Sequence, residues 1–188
     1  MCARYIAAFM WAYCEGGLKL GESKTHLLIM DTSRNEYNKL LHNVMTMYPP
    51  KNRVMSKSYA GEVMAVCVSN EAGIAVDIER ERHREDETIN YFYNGFKTFT
   101  CNDMPPAGKL RDFYKLWTAM ESFVKFRGQG LRGNMDFHLN LSEEAVYVGD
   151  EITAHLHYIS FRDYCLCLCC DKPPELLNLK ITAWAEGG

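Results

Sequence analysis

Between residues 110 and 126, Leu110, Phe113, Trp117, Met120 and Val124 recur at steps of three and four. At 3.6 residues per turn such a stripe lies on one face. The segment therefore reads as a long amphipathic helix that another layer must cover. Gly128 and Gly130 stop it. A second stripe, Tyr37, Leu40, Leu41, Val44, Met45 and Met47, predicts a helix over 37–47 that ends before Pro49 and Pro50. Asp31, Thr32 or Ser33 is placed to cap its start. The remaining apolar runs have strand character. EVMAVCVS (62–69) and IAVDIE (74–79) are separated by a short turn and are expected to pair as a hairpin. FHLNLS, AVYVG, ITAHLHYIS and YCLCLCC follow the long helix, divided by turns such as Gly149-Asp150. The order of helix, strands, helix and a meander of strands predicts an α+β fold with largely antiparallel sheets. The charged stretch Glu79–Asn90 reads as a solvated loop or helix start, and Pro105, Pro106 and Gly108 mark a break before the long helix.

Composition limits what such a fold can do. With 47% apolar and 24% charged residues in 188, the chain can bury a substantial core. A formal charge of −3 does not suit a surface that coats a polyanion, so no nucleic acid partner is expected. A phosphate-bearing ligand must instead be held by a few local cations. Cys165, Cys167, Cys169 and Cys170 crowd one strand-like run, and no regular framework links them to Cys2, Cys14, Cys67 and Cys101. That favours a reducing compartment with thiols serving as small apolar groups. The opening MCARYIAAFMWAYCEGG has an apolar stretch without a small-x-small cleavage site, and reads as a strand or buried segment rather than a targeting signal. No run reaches the ~18 apolar residues of a membrane helix. The expectation is a cytoplasmic protein without a membrane partner.

Two groups of polar residues could carry chemistry. Asp77 and Glu79 are two apart on a strand, so both carboxylates project from one face while Val76 and Ile78 take the other. Side by side they repel unless a cation lies between them, and a hard ion such as Mg²⁺ prefers oxygen ligands of this kind. Glu121 and Lys125 are one turn apart beside the apolar stripe of the long helix, with Thr118 on the same face. Taken singly, the first pair is explained as a polar strand end and the second as a helix-surface ion pair worth a few tenths of a kcal/mol. His155 and His157, and the alternating cysteines, also share strand faces that zinc could use. No C-x₂-C spacing accompanies them, and Cys-Leu alternation is also what a strand buried on both faces would show.

The two polar groups read together resemble a known family. AVDIE, followed after about forty residues by FYKLWTAMESFVKFRGQGL, is similar to the paired signature of 4′-phosphopantetheinyl transferases of the surfactin-synthetase type. That signature runs approximately G-(I/V)-D-(I/V)-E, then (F/W)-(S/T)-x-K-E-(A/S)-x-x-K with a glycine-rich end. The resemblance spans about residues 58–170, including EVMAVCVS and the closing strand YCLCLCC. It implies two similar α+β halves forming a pseudo-dimer, each with a long helix, drawn here as 1–72 and 73–188. The ligand cleft would lie between them, where Asp77/Glu79 and Glu121/Lys125 would meet. It implies Mg²⁺ held by Asp77, Glu79 and Glu121, and coenzyme A as substrate with Lys125 at its phosphates. The acceptor would be a serine of an apo acyl or peptidyl carrier protein. Glu121 would help remove the serine proton, the serine oxygen would attack the β-phosphate, and 3′,5′-ADP would leave. A monomer is expected.

The chain also departs from the family pattern. Met120 stands where the family has a lysine, and a thioether brings no charge to a phosphate. SYAG, from Ser58 to Gly61, replaces S-H-S-G, which puts Ser58 and Tyr59 at coenzyme A with a phenol in place of the imidazole. Ala75 replaces a glycine. The N-terminal half is short and lacks the family's basic arm, leaving Lys51, Arg53 and Lys57 as available substitutes. These departures open a second reading, a degenerate relative that binds coenzyme A or a carrier without efficient transfer. A third is an unrelated metal-dependent phosphate-ester enzyme using the same acids.

Overall fold

A computed structural model describes residues 25–33, 37–48, 51, 53–96, 110–128, 137–173 and 176–183. The N-terminal stretch read as a strand or buried segment, and the Pro105–Gly108 break, lie outside them.

Nine strands and three helices are formed among the described residues. The first part contains β1 (Thr25–Asp31), α1 (Tyr37–Met47), β2 (Val54–Ala60), β3 (Val63–Ser69) and β4 (Ile74–Arg80). It continues through α2 (Asp86–Phe96) and α3 (Leu110–Arg127). The last part is β5 (Phe137–Asn140), β6 (Ala145–Val148), β7 (Glu151–Phe161), β8 (Tyr164–Cys170) and β9 (Leu179–Ala183). They build two sheets, ordered β2-β3-β1-β9 and β4-β8-β7-β6-β5. Every pairing is antiparallel except β1 with β9. The fold is α+β, as the pattern predicts. Both helical stripes are also present, over 37–47 and 110–127. The first sheet draws β9 from the far end of the chain, so the sheets are not two contiguous stretches of sequence.

The expected hairpin of 62–69 with 74–79 does not form. β3 pairs with β1 and β2, whereas β4 crosses to the other sheet and pairs with β8. The turn explains the change of sheet. Ser69 Oγ accepts the amides of Glu71 and Ala72, both at 3.2 Å, which turns the chain out of β3. Gly73 then donates to Asp171 Oδ2 at 2.8 Å, and the Asp171 amide donates to the Gly73 carbonyl at 3.2 Å. A side chain on Gly73 would place its Cβ 3.0 Å from that carboxylate and 3.1 Å from Phe126. β4 is thus tied to the end of β8 from its first residue.

Strand periodicity then sorts the core into layers. Along β4, Ile74, Val76 and Ile78 pack toward the first sheet with Leu166, Leu168 and Cys170 of β8 and Leu27, Ile29 and Cys67. The alternate residues of β8, Cys165, Cys167 and Cys169, face α3 and pack with Leu116, Ala119 and Phe123. α1 covers the outer face of the first sheet through Leu40, Val44 and Tyr48. The order of layers is helix, sheet, sheet, helix. Cys-Leu alternation in β8 thus follows burial on both faces, with Cys165, Cys167 and Cys169 on the face beneath the helix. Each fully buried Leu or Phe contributes roughly 1.5–3 kcal/mol. This explains why β8 and the centre of α3 hold so few polar groups. Those that are buried, Thr118 and Ser122, donate to helix carbonyls of Tyr114 (2.8 Å) and Ala119 (2.9 Å).

Candidate active site

Asp77 and Glu79 project from the face of β4 that α3 crosses. Their neighbours Val76 and Ile78 point into the core between the sheets. Asp77 is only 4% exposed. Its Oδ1 accepts from Ser58 Oγ at 2.7 Å and from Lys125 Nζ at 2.6 Å. The Lys125 ammonium also donates to Ser58 Oγ at 3.0 Å and to the Val76 carbonyl at 3.4 Å. The other oxygen, Asp77 Oδ2, is buried and has no hydrogen-bond partner among the described residues. A carboxylate oxygen in that state costs about 1–3 kcal/mol unless something binds it.

Glu79 and Glu121 are half-buried beside Asp77. Burial raises the Glu79 carboxyl above its ordinary value, and the charges of Asp77 and Glu121 add to that. A hydrogen bond from the Trp117 side chain and the Arg84 charge oppose it. Burial, then the Asp77 charge, likewise raises Glu121, with Lys125 opposing. The Asp77 charge thus reaches both glutamates, with the Lys125 ammonium beside them. Their shared preference is for more positive charge.

The acidic pairs meet within the second sheet and its helix, not between two stretches of chain. Ser58, on β2, is the residue that reaches them from the first sheet. β2 and β4 run side by side at the seam, where the Val76 amide donates to Ser56 Oγ at 3.2 Å. Tyr59 follows Ser58 on the strand and faces away, 54% exposed. Lys57 lies 5.8 Å from the centre of its ring. Arg53 donates from Nη1 to the Met45 carbonyl at 3.3 Å, at the end of α1, and Lys51 is exposed. The structure thus joins Ser58, Asp77, Glu79, Glu121 and Lys125, while Tyr59 and Arg53 have other neighbours.

Trp117 was legible only as part of an apolar stripe, yet its side chain donates to Glu79. The signal was available: tryptophan is the one residue of that stripe with a strong N–H donor. Met120 is 4% exposed and lies in the core beneath the helix. Met120→Lys would bury an unpaired ammonium there rather than offer a phosphate contact. It is expected to lower stability by about 3 kcal/mol, measured by urea denaturation.

The donor set fits a hard divalent cation. It comprises three carboxylates, one with a buried oxygen lacking a partner among the described residues, and excess negative charge. Among the described residues, no three acidic, histidine or cysteine side chains already stand as a metal cage. The place beside Asp77 Oδ1 is filled by Lys125.

A sequence model of the 4′-phosphopantetheinyl transferase superfamily matches residues 73–169, more than half the chain. The chain belongs to that superfamily. The matched segment runs from Gly73, just before β4, to Cys169 near the end of β8, and it carries all three acids and Lys125. Membership makes this a transferase fold of phosphopantetheine chemistry. The acids of β4 and α3 are the polar cluster of that transferase region described above. No curated protein matches the chain. Among the described residues, no helix of the transferase is long and apolar enough to cross a membrane.

Proposed function

We propose that this transferase is of the surfactin-synthetase type. It moves the 4′-phosphopantetheine group of coenzyme A to a serine of an apo acyl or peptidyl carrier protein and releases 3′,5′-ADP. What supports this reading is that the Asp77 charge raises both Glu79 and Glu121, and that Asp77 keeps one buried oxygen without a hydrogen-bond partner among the described residues, all within the segment that matches the superfamily. Asp77, Glu79 and Glu121 would hold Mg²⁺. When bound, the ion supplies charge neutralisation to the pyrophosphate of coenzyme A.

The chain's own residues have separable roles. Lys125 neutralises a phosphate oxygen from α3, one turn beyond Glu121. Glu121 takes the proton of the acceptor serine; its raised carboxyl brings it closer to the basicity such a transfer needs near neutral pH. Trp117 holds Glu79 in place by its hydrogen bond. Ser58 brings the first sheet to the site. Transfer of this kind depends on in-line positioning and electrostatic stabilisation more than on covalent participation by the protein. The layered arrangement, with α1 on one sheet and α3 on the other, supports a pseudo-dimer of two α+β halves in which the first sheet also takes β9 from the end of the chain. A cytoplasmic monomer is the working form.

Incubation with coenzyme A, Mg²⁺ and a panel of apo carrier proteins is expected to add one phosphopantetheine mass to at least one carrier, read by intact-mass spectrometry. Failure across the panel counts against transfer. Burial of Met120 in the lysine's place and the outward Tyr59 favour a second reading, in which coenzyme A or a carrier binds without transfer. Tight coenzyme A binding by calorimetry with no mass gain selects it.

A further inference from the structure

The ammonium already seated on Asp77 points to a dependence between two ligands. Lys125 Nζ lies 2.6 Å from Asp77 Oδ1, 3.0 Å from Ser58 Oγ and 3.4 Å from the Val76 carbonyl. An ammonium has three donors, and three acceptors from two strands take them. Asp77 is 4% exposed, so this contact is sheltered from the screening that weakens surface pairs. A second cation approaching the same carboxylate meets a fixed like charge within a few ångströms. It must either push the ammonium aside or bind against its repulsion. Neither is favourable until a stronger anion draws the ammonium off Asp77. A diphosphate supplies one, because its oxygens form charge-assisted hydrogen bonds with a lysine.

We propose that Lys125 is a resident counterion that keeps divalent metal off Asp77 until the diphosphate of the substrate draws it away. This rests on the metal reading proposed above. By linkage, the metal then favours the diphosphate as much as the diphosphate favours the metal. Metal without substrate is held weakly, and the charged site is assembled only when both are present.

Mn²⁺ serves as the probe, its free fraction read by electron paramagnetic resonance with no nucleotide present. Wild type, Lys125→Met, Lys125→Gln and Asp77→Asn are compared, with circular dichroism to confirm folding. Lys125→Met is expected to bind Mn²⁺ about tenfold more tightly than wild type, because a competing charge is removed from a sheltered carboxylate. Lys125→Gln keeps hydrogen-bond donors without the charge; it carries the same expectation and stands in if Lys125→Met does not fold. Adding Asp77→Asn to either variant should abolish the gain. Should the lysine variants bind Mn²⁺ no better than wild type while Asp77→Asn still weakens it, the counterion role is overturned and the metal site survives. Mn²⁺ binding insensitive to Asp77→Asn in every background overturns both.

Discussion

Asp77→Asn is expected to be the most damaging single change, in stability as well as in transfer. The carboxylate is 4% exposed and is the acceptor for both Ser58 and Lys125. Removing one member of a buried ion pair leaves the other charge uncompensated, at about 3–5 kcal/mol. The lower end applies here, near 3 kcal/mol, because the Lys125 side chain is 31% exposed and can turn to water. For a chain of this size that corresponds to a fall in melting temperature of roughly 6–12 °C. Asp77→Asn with Lys125→Met should be closer to wild type than the sum of the single changes, since the second removes the stranded charge. Transfer should fall on the order of 10²–10³-fold, the scale of deleting one preorganised electrostatic contact. Denaturation and carrier mass gain, measured on the same preparations, separate the two effects.

Glu121→Gln is expected to have the opposite effect on stability and a comparable effect on transfer. Burial and the nearby Asp77 charge raise the Glu121 carboxyl, so the folded chain holds this proton more tightly than the unfolded chain does. An ionised Glu121 therefore opposes folding above the unfolded carboxyl value, and the penalty is relieved as pH falls through the raised one. Glutamine removes it at neutral pH. The group is half-buried and partly screened, so the expected gain is modest, about 1–3 °C in melting temperature without ligands. Transfer should drop about 10²–10⁴-fold from loss of the proton acceptor. A variant that is more stable and inactive is the signature of a carboxylate retained for function rather than for the fold. A fall in melting temperature of Glu121→Gln would instead mark the carboxylate as a structural partner of Lys125.

The sequence disclosed the local elements and the face on which each acid lies, because both depend on periodicity. Alternation along 74–79 places Asp77 and Glu79 opposite Val76 and Ile78, and three- and four-residue spacing defines α3. Membership of a sheet was not legible in the same way. β3 and β4 are both apolar and close in the chain, which is also the pattern of a hairpin. The tether between Gly73 and Asp171, 98 positions apart, and the ladder that follows it join β4 to β8. The parallel pairing of β1 with β9 likewise depends on a contact between distant parts of the chain. In the candidate site, the family pattern pointed to the acids but not to the partner of Lys125. Its spacing from Glu121 suggested a helix ion pair, whereas the ammonium crosses to Asp77. Reach across layers decides that choice. The same applies to Ser58, whose hydroxyl links the sheets through Asp77, and to Trp117, whose donor emerges from an apolar stripe.

The claim that most needs testing is that these carboxylates share one divalent ion with the substrate's diphosphate. Anomalous diffraction from crystals grown with coenzyme A and Mn²⁺ addresses it directly. One strong peak beside Asp77, Glu79 and Glu121 is expected, with Lys125 Nζ moved from Asp77 to a phosphate oxygen. Coenzyme A bound with no peak at these side chains, and with Lys125 still on Asp77, would contradict it.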